Sequence, residues 1–465
     1  MFPSAIYSER RKKLRAELSN GIALFLGNTD VAFNYPANQY TFRQDSNFSY
    51  FFGLDHPDLA GLIDLDEGKD IIFGNDVDIS DIIWMGKQPT MIDQAAKAGV
   101  LVTFLLKDLA EYIGMAVAKG RRIHFVPAYR AETRVQLAGL LNKEYLKIHD
   151  YVSEELMKAI VKLRMVKDDL EVKEIEKMID VAWIMHTTAM KMAMPGVIEQ
   201  KIAGTIEGIA LAQAGPVSFP VILTVNGQTL HNHYHGNILS EGRMLVVDAG
   251  CENDLHYASD ITRTVPVGGK FSQRQREIYE VVLKANMEAA KAVKPGVPFR
   301  DIHLLAATEI AKGLTALGIM KGDPKEAVAK GAHTLFFPHG LGHPLGLDVH
   351  DLEGMGETYV GYDNEVQRSK EFGLGFLRFG RKLQTGFVMT IEPGIYFIPE
   401  LIEIWKNEHK NVEFINYDKV MTYLDFGGIR IEDDVLVTAD GYRVLGKPIP
   451  KTVDEIEALI ANHSL

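Results

Sequence analysis

The chain has 465 residues, 46% hydrophobic, 24% charged and 9% aromatic, with 50 Lys and Arg against 62 Asp and Glu. That length allows roughly two to four domains with large cores. The formal charge of −12 argues against nucleic acid or an anionic membrane as a main partner, since both require a basic field. One cysteine, Cys251, excludes an intrachain disulfide and a thiolate zinc cluster, so any metal site must draw on carboxylates and imidazoles.

The N-terminus carries a basic stretch, Arg10-Arg11-Lys12-Lys13 with Arg15, but the apolar run after it, Ile22 to Leu26, is too short for a signal peptide. The stretch reads as a solvated helix face with Leu14 and Leu18 turned inward. No apolar run reaches the length of about 18 residues needed to span a membrane. The expectation is a soluble, cytoplasmic protein.

Residues 1–155 read as an alternating α/β domain. Short apolar runs at Ile22–Leu26, Gly61-Leu-Ile, Asp70-Ile-Ile-Phe and Arg122-Ile-His-Phe-Val are separated by helical periods, as in a sheet flanked by helices. The charged stretch Lys162 to Lys173 carries the passage into a second domain, taken as residues 156–465. Its first long helix keeps Ile175, Met178, Ile179, Ala182, Met185 and Ala189 on a 3.6-residue period and stops at Met194-Pro195-Gly196-Val197. A second long helix opens at Ser272, with Gln275 at capping-box spacing, and stops at Lys294-Pro295-Gly296-Val297. The two Pro-Gly-Val stops lie 100 residues apart, and each precedes another helical segment. This predicts a duplicated α+β half with a site between the copies.

Four acids interrupt apolar, strand-like runs: Asp248 in VVDAG, Asp260 in SDITRT, Glu392 in TIEPGIYF and Glu432 in GGIRIEDD. A buried, unpaired carboxylate costs several kcal/mol. Basic residues nearby are few, Arg263 and Arg430, so a divalent metal is the economical partner. Asp248 and Asp260 flank a turn-like Glu252-Asn253-Asp254, and opposed strands bring such carboxylates together. Glu392 and Glu432 offer the equivalent pair. Imidazoles follow in PHGLGHPLGLDVHD, which holds His339, His343 and His350 among glycines that let the backbone pass close to a ligand. Upstream, His231, His233 and His235 alternate as on one strand face.

These phrases, in this order, resemble the "pita-bread" metallopeptidases, the family of methionine aminopeptidase, aminopeptidase P and prolidase. Phe42-Arg-Gln-Asp-Ser-Asn-Phe-Ser-Tyr-Phe-Phe-Gly and Trp84-Met-Gly-Lys resemble the N-terminal domain of the aminopeptidase P/prolidase subgroup, so the likeness covers nearly the whole chain. The implied fold is α+β, an N-terminal α/β domain followed by a pseudo-two-fold catalytic domain. The implied ligands of two divalent metal ions are Asp248, Asp260, His343, Glu392 and Glu432. Manganese is the implied metal, with cobalt or zinc as alternatives.

Within the subgroup, two features lean toward prolidase, which hydrolyses Xaa-Pro dipeptides. The 40-residue interval from Glu392 to Glu432 is long, and Gly375-Phe-Leu-Arg-Phe-Gly-Arg resembles the loop whose arginine, here Arg378, holds a dipeptide's C-terminal carboxylate. Arg381 is its nearest competitor. The alternative is an Xaa-Pro aminopeptidase acting on longer peptides. A non-catalytic binding protein and a creatinase-like hydrolase are disfavoured by the complete ligand set. The resemblance further implies a metal-bridging hydroxide as nucleophile, with Glu392 shuttling its proton. His339 and His350 would hold the scissile carbonyl, and His231 would line the substrate pocket. Thr262 and Arg430 would steer the carboxylates, and Trp84 would cap the pocket of a neighbouring subunit in a homodimer. The substrates are small peptides with proline in the second position.

Overall fold

The computed structural model describes residues 1–462. It divides into two compact units, Met1–Arg164 with Leu352–Tyr359, and Met165–Asp351 with the chain from Val360 onward. The first unit therefore runs to the end of the helix Glu154–Met165, at whose start the sequence reading had placed the boundary.

In the first unit, five strands lie in the order Val102–Phe104, Lys69–Phe73, Ala60–Asp64, Ile22–Leu26, Ile123–His124. The strand Ile22–Leu26 is antiparallel to Ala60–Asp64 and parallel to Ile123–His124. Every position of Ile22–Leu26 and Ala60–Asp64 is buried, which explains their unbroken apolar runs: both faces of the sheet are covered.

The basic stretch on the helix Ser4–Glu17 differs from expectation. Lys12 and Lys13 are exposed, but Arg10 and Arg11 are buried. Arg11 donates to Asp70 Oδ2 at 2.8 Å and to the carbonyls of Phe51, Ala98 and Gly99. A guanidinium whose donors are matched in this way is tolerated in a core. Arg11 occupies the inward stripe Tyr7, Arg11, Leu14, Leu18, spaced four, three and four. Trp84 lies on the helix Ile79–Met85, which buries no residue, and is 84% exposed.

The second unit is built twice. In its first half the helices Asp169–Met192 and Glu199–Gln213 accompany a three-stranded sheet, Ile261–Pro266, Met244–Ala249, Ile222–Thr224. In its second half the helices Gln273–Ala292 and Phe299–Ala316 accompany the strands Val388–Ile391, Asp433–Val437 and Tyr442–Val444, with a further pair, Gly394–Tyr396 and Gly428–Arg430. Both leading helices open with a capping box, Asp168 with Glu171 and Ser272 with Gln275.

Both helices also stop alike. Gly196 and Gly296 adopt φ of +86° and +84°, a left-handed conformation that glycine alone enters without strain. Gly196 N–H donates to Leu239 O at 2.8 Å and Gly296 N–H to Leu383 O at 2.8 Å. The leucines return the bond, to Val197 O at 2.8 Å and Val297 O at 2.9 Å. The duplication read from the two Pro-Gly-Val stops is thus repeated bond for bond, within the α+β pita-bread architecture expected. Among the described residues, no helix is long and apolar enough to cross a membrane.

Candidate metal centre

Asp248 sits on the strand Met244–Ala249, in register with Thr262 on Ile261–Pro266. Asp260 is two residues before Thr262, so all three side chains share a face of the hairpin. The two aspartates are diagonal neighbours, an arrangement their spacing of 12 had left open.

In the second half, Ile391 pairs with Asp433 and Gly394 with Arg430. Both pairings belong to one antiparallel register, which places Glu392 directly opposite Glu432. The ladder loses one bond beside this rung: Pro393 has no N–H to give to Ile431 O, while Ile431 N–H still donates to Pro393 O at 3.3 Å. On the outer edges Glu392 N–H donates to Leu341 O at 2.8 Å and Glu432 N–H to Thr262 O at 3.0 Å. The two glutamates therefore lie beside a missing ladder bond.

His343 reaches them because its own segment runs along the strand carrying Glu392. Thr390 N–H donates to His343 O at 2.9 Å, Leu345 N–H to Val388 O at 3.1 Å, and His343 N–H to Thr390 Oγ1 at 3.0 Å. A Cβ at position 342 would lie 2.0 Å from the Thr390 carbonyl oxygen, so only glycine permits this approach. His343 Nδ1–H donates to Pro344 O at 3.0 Å, leaving Nε2 free to ligate. That nitrogen is 3.3 Å from Asp260 Oδ2 and 3.6 Å from Glu392 Oε1. Asp260, His343 and Glu432 bring ligand atoms within 4.8 Å of one another.

The electrostatics call for cations. Burial first, then Glu432 and Asp248, raise the Asp260 carboxyl well above its usual range. Burial, Glu392 and Asp248 do the same to Glu432. Glu392 is pushed up to about 7 by burial and Asp248, with Arg430 and Arg378 opposing. Asp248 Oδ1 and Asp260 Oδ1 are buried without a hydrogen-bond partner among the described residues. Orphaned carboxylate oxygens converging with one imidazole fit divalent metal, and the oxygen-rich set suits a harder ion.

Arg430 is the cation hydrogen-bonded into the cluster. It donates to Asp248 Oδ2 at 2.6 Å, Thr262 Oγ1 at 3.1 Å and Tyr396 OH at 2.9 Å. Thr262 Oγ1 in turn donates to Glu432 Oε2 at 2.7 Å. Tyr396 OH meets His339 Nε2 at 2.9 Å, while His339 Nδ1–H is on Gly340 O at 2.7 Å and 3.9 Å from Glu392 Oε2. His339 is pushed down to about 3 by burial and Arg430. The His350 ring stands edge-on to His343, with centroids 4.2 Å apart.

His231 lies on an open turn, near enough to the cluster that partial burial, then Arg430, lower its pKa. The strand face proposed for His231, His233 and His235 is not formed. Residues 231–237 carry no strand, and His233 and His235 fold back onto the carbonyls of Val221 and Leu223. Of the two competing arginines, Arg378 acts on Glu392 and His343, whereas Arg381 packs over the rings of Phe379 and Phe387 at 5.5 and 5.6 Å.

Sequence reasoning assigned no role to Tyr396, to Thr390, or to Asp434, whose Oδ2 accepts the Asp260 N–H at 3.1 Å. The signal for Asp434 was present: it lies two residues beyond Glu432 on the same strand face.

A pseudo-symmetric fold with a convergent carboxylate–imidazole cluster defines a metal-dependent hydrolase of the pita-bread type. Residues 173–439 match the model of metallopeptidase family M24 and residues 7–124 that of the aminopeptidase P N-terminal domain. The chain belongs to metallopeptidase family M24. It is 35% identical over 428 residues to a probable Xaa-Pro aminopeptidase of Fusarium vanettenii, covering 90% of this chain and 88% of the relative. It is 33% identical over 433 residues to one from Aspergillus fumigatus, with 90% and 88% covered. Among solved structures it resembles aminopeptidase PepP of Pseudomonas aeruginosa, with a TM-score of 0.81, 30% identity and 99% of both chains covered. It also resembles zinc-substituted Escherichia coli aminopeptidase P in complex with product, with a TM-score of 0.81, 27% identity and 100% and 99% covered.

These likenesses favour aminopeptidase P over the prolidase toward which the long interval had leaned. That interval holds the helices Pro399–Asn407 and Tyr417–Met421. They form an excursion between two paired strands whose register it leaves intact, so its length is a poor guide to substrate.

Proposed function

We propose that the protein is a dinuclear-metal Xaa-Pro aminopeptidase, releasing the N-terminal residue from peptides with proline second. The observation that supports this most is the convergence of Asp248, Asp260, His343, Glu392 and Glu432 in a chain similar along nearly its whole length to Xaa-Pro aminopeptidases. Asp248, Asp260, His343, Glu392 and Glu432 would hold two ions, most suitably manganese. Bound ions would lower the pKa of a water toward neutrality and polarise the scissile carbonyl.

The chain's own groups do the remaining work. Glu392 takes the proton of the attacking water and returns it to the proline nitrogen, which then departs as a neutral amine rather than as an amide anion. His350 and the Nδ1–H of His339 are the donors for the carbonyl oxygen, the latter by leaving Gly340 O. His231 lines the entry beside them. In a homodimer, the exposed Trp84 would close the partner's pocket. The buried free thiol of Cys251 is compatible with the cytoplasmic site of action that belongs to this proposal.

Arg378, whose charge lowers the pKa of Glu392, favours a second reading, an Xaa-Pro dipeptidase that clamps the free carboxylate after proline. Comparing Ala-Pro with an Xaa-Pro-Xaa tripeptide in manganese separates the two. The proposal expects faster release from the tripeptide, with Arg378→Ala impairing dipeptide cleavage selectively. Cleavage of the dipeptide alone would overturn it.

A further inference from the structure

The two leading helices of the catalytic unit each carry one buried polar side chain at an equivalent position. His186 lies nine residues before Pro195, and Asn286 nine residues before Pro295; they are 1% and 0% exposed. Both point at the backbone immediately beside the carboxylates.

In the first half, His186 Nε2–H donates to Ala249 O at 3.0 Å, and the backbone of Ile261 also lies against the ring. Ala249 follows Asp248, Ile261 follows Asp260, and the two are cross-strand partners. In the second half, Asn286 Nδ2 donates to Ile391 O at 2.9 Å and to Ile431 O at 3.3 Å. Ile391 precedes Glu392 and Ile431 precedes Glu432. One amide therefore joins the two strands where Pro393 leaves the ladder a bond short.

The orientation of that amide is fixed from its other end. Lys451 Nζ donates to Asn286 Oδ1 at 2.9 Å and to Asp433 Oδ2. Asp433 Oδ1 accepts from Arg263 Nη2 at 2.7 Å, and Arg263 Nη1 donates to Thr262 O at 2.9 Å. With an ammonium on the oxygen, the Asn286 NH₂ must face the two carbonyls. A chain of hydrogen bonds thus runs from the C-terminal segment to the backbone of the glutamates.

We propose that His186 and Asn286 are paired positioning residues, each fixing from behind the strand backbone that aims the two metal-binding carboxylates of its own half, with Lys451 holding Asn286 in register. This rests on the metal-binding reading above. Groups that orient ligands in this way typically change metal affinity or activity by about 10–100-fold when removed.

The test compares full-length wild type with Asn286→Leu, Lys451→Met, His186→Leu and His186→Gln, the last keeping a donor near the lost Nε2. Manganese affinity is read by chelator competition, melting temperature on the metal-free protein, and kcat and KM on an Xaa-Pro-Xaa tripeptide. The expected result is that Asn286→Leu and His186→Leu weaken manganese about 10–100-fold and lower kcat with KM little changed. Lys451→Met should shift both in the same direction by less, and His186→Gln should restore affinity to near wild type. Unchanged affinity in Asn286→Leu and His186→Leu, whatever their melting temperatures, would overturn the proposal. If Asn286→Leu does not fold, Lys451→Met, whose side chain is partly exposed, decides in its place. A wild type that binds no divalent ion would overturn the metal reading itself, a result distinct from equal binding by wild type and variants.

Discussion

The two halves of the catalytic unit solve one problem by different means. The first places Asp248 and Asp260 as diagonal neighbours beside an intact ladder, where strand pairing sets their separation. The second places Glu392 and Glu432 face to face beside a missing ladder bond, where Asn286 takes up the Ile431 carbonyl that Pro393 cannot and holds Ile391 O as well. The halves then cross. Thr262 of the first half bonds Glu432 of the second, and Arg430 of the second bonds Asp248 of the first. Duplication supplied two similar frames; these crossed bonds make one site of them.

Four sets of substitutions break or sharpen that comparison. The largest effect belongs to the ligands: Asp260→Ala or Glu432→Ala, one from each half, should each lower kcat/KM about a thousandfold or more in peptide-cleavage assays. A drop confined to one half would mean the other contributes no catalytic ligand.

Next come the crossing bonds. Arg430→Gln leaves Asp248 without its charge partner and should reduce manganese affinity about 10–100-fold. Thr262→Val should cost less, and because both groups share one hydrogen bond the double variant should fall short of additivity.

The third concerns pH. His303 and His333, both in the second half, are buried with no partner on either ring nitrogen among the described residues, and burial pushes them down to about 3 and about 4. Their folded pKa values lie below the unfolded value of about 6.5, so the unfolded chain binds their protons first. Their contribution to stability is full above pH 6.5 and is lost as pH falls toward the folded values. Each should remove about 2 kcal/mol between pH 7 and pH 5, read by urea unfolding of metal-free protein. His303→Phe should flatten this dependence, and an unchanged slope would refute the assignment.

The smallest effect tests equivalence itself. A Cβ at Gly196 or Gly296 meets nothing within 4 Å, so alanine there costs only the left-handed backbone, about 1 kcal/mol in each half. Unequal losses would show that the two stops are not the same structure.

Much of this was legible in the chain. Carboxylates inside apolar strands announce a compensating charge, and Pro-Gly-Val after a helix is readable wherever it recurs. Asn286 and His186 were not legible, because a polar residue on an apolar helix face does not reveal which distant carbonyl it meets. Arg11 was hidden by its basic neighbours, although its place in the Tyr7–Leu14 stripe was a usable signal. The lean toward a dipeptidase, which the comparisons do not support, rested in part on an interval whose extra length is two helices outside the strand register.

The central claim, one dinuclear site shared by two halves, is tested most directly by counting manganese ions. Titration of the metal-free protein should give two per chain in wild type, and either Asp260→Ala or Glu432→Ala alone should disrupt both. If each variant instead kept one undisturbed ion, bound with wild-type affinity, the halves would hold their metals separately and the account would be wrong.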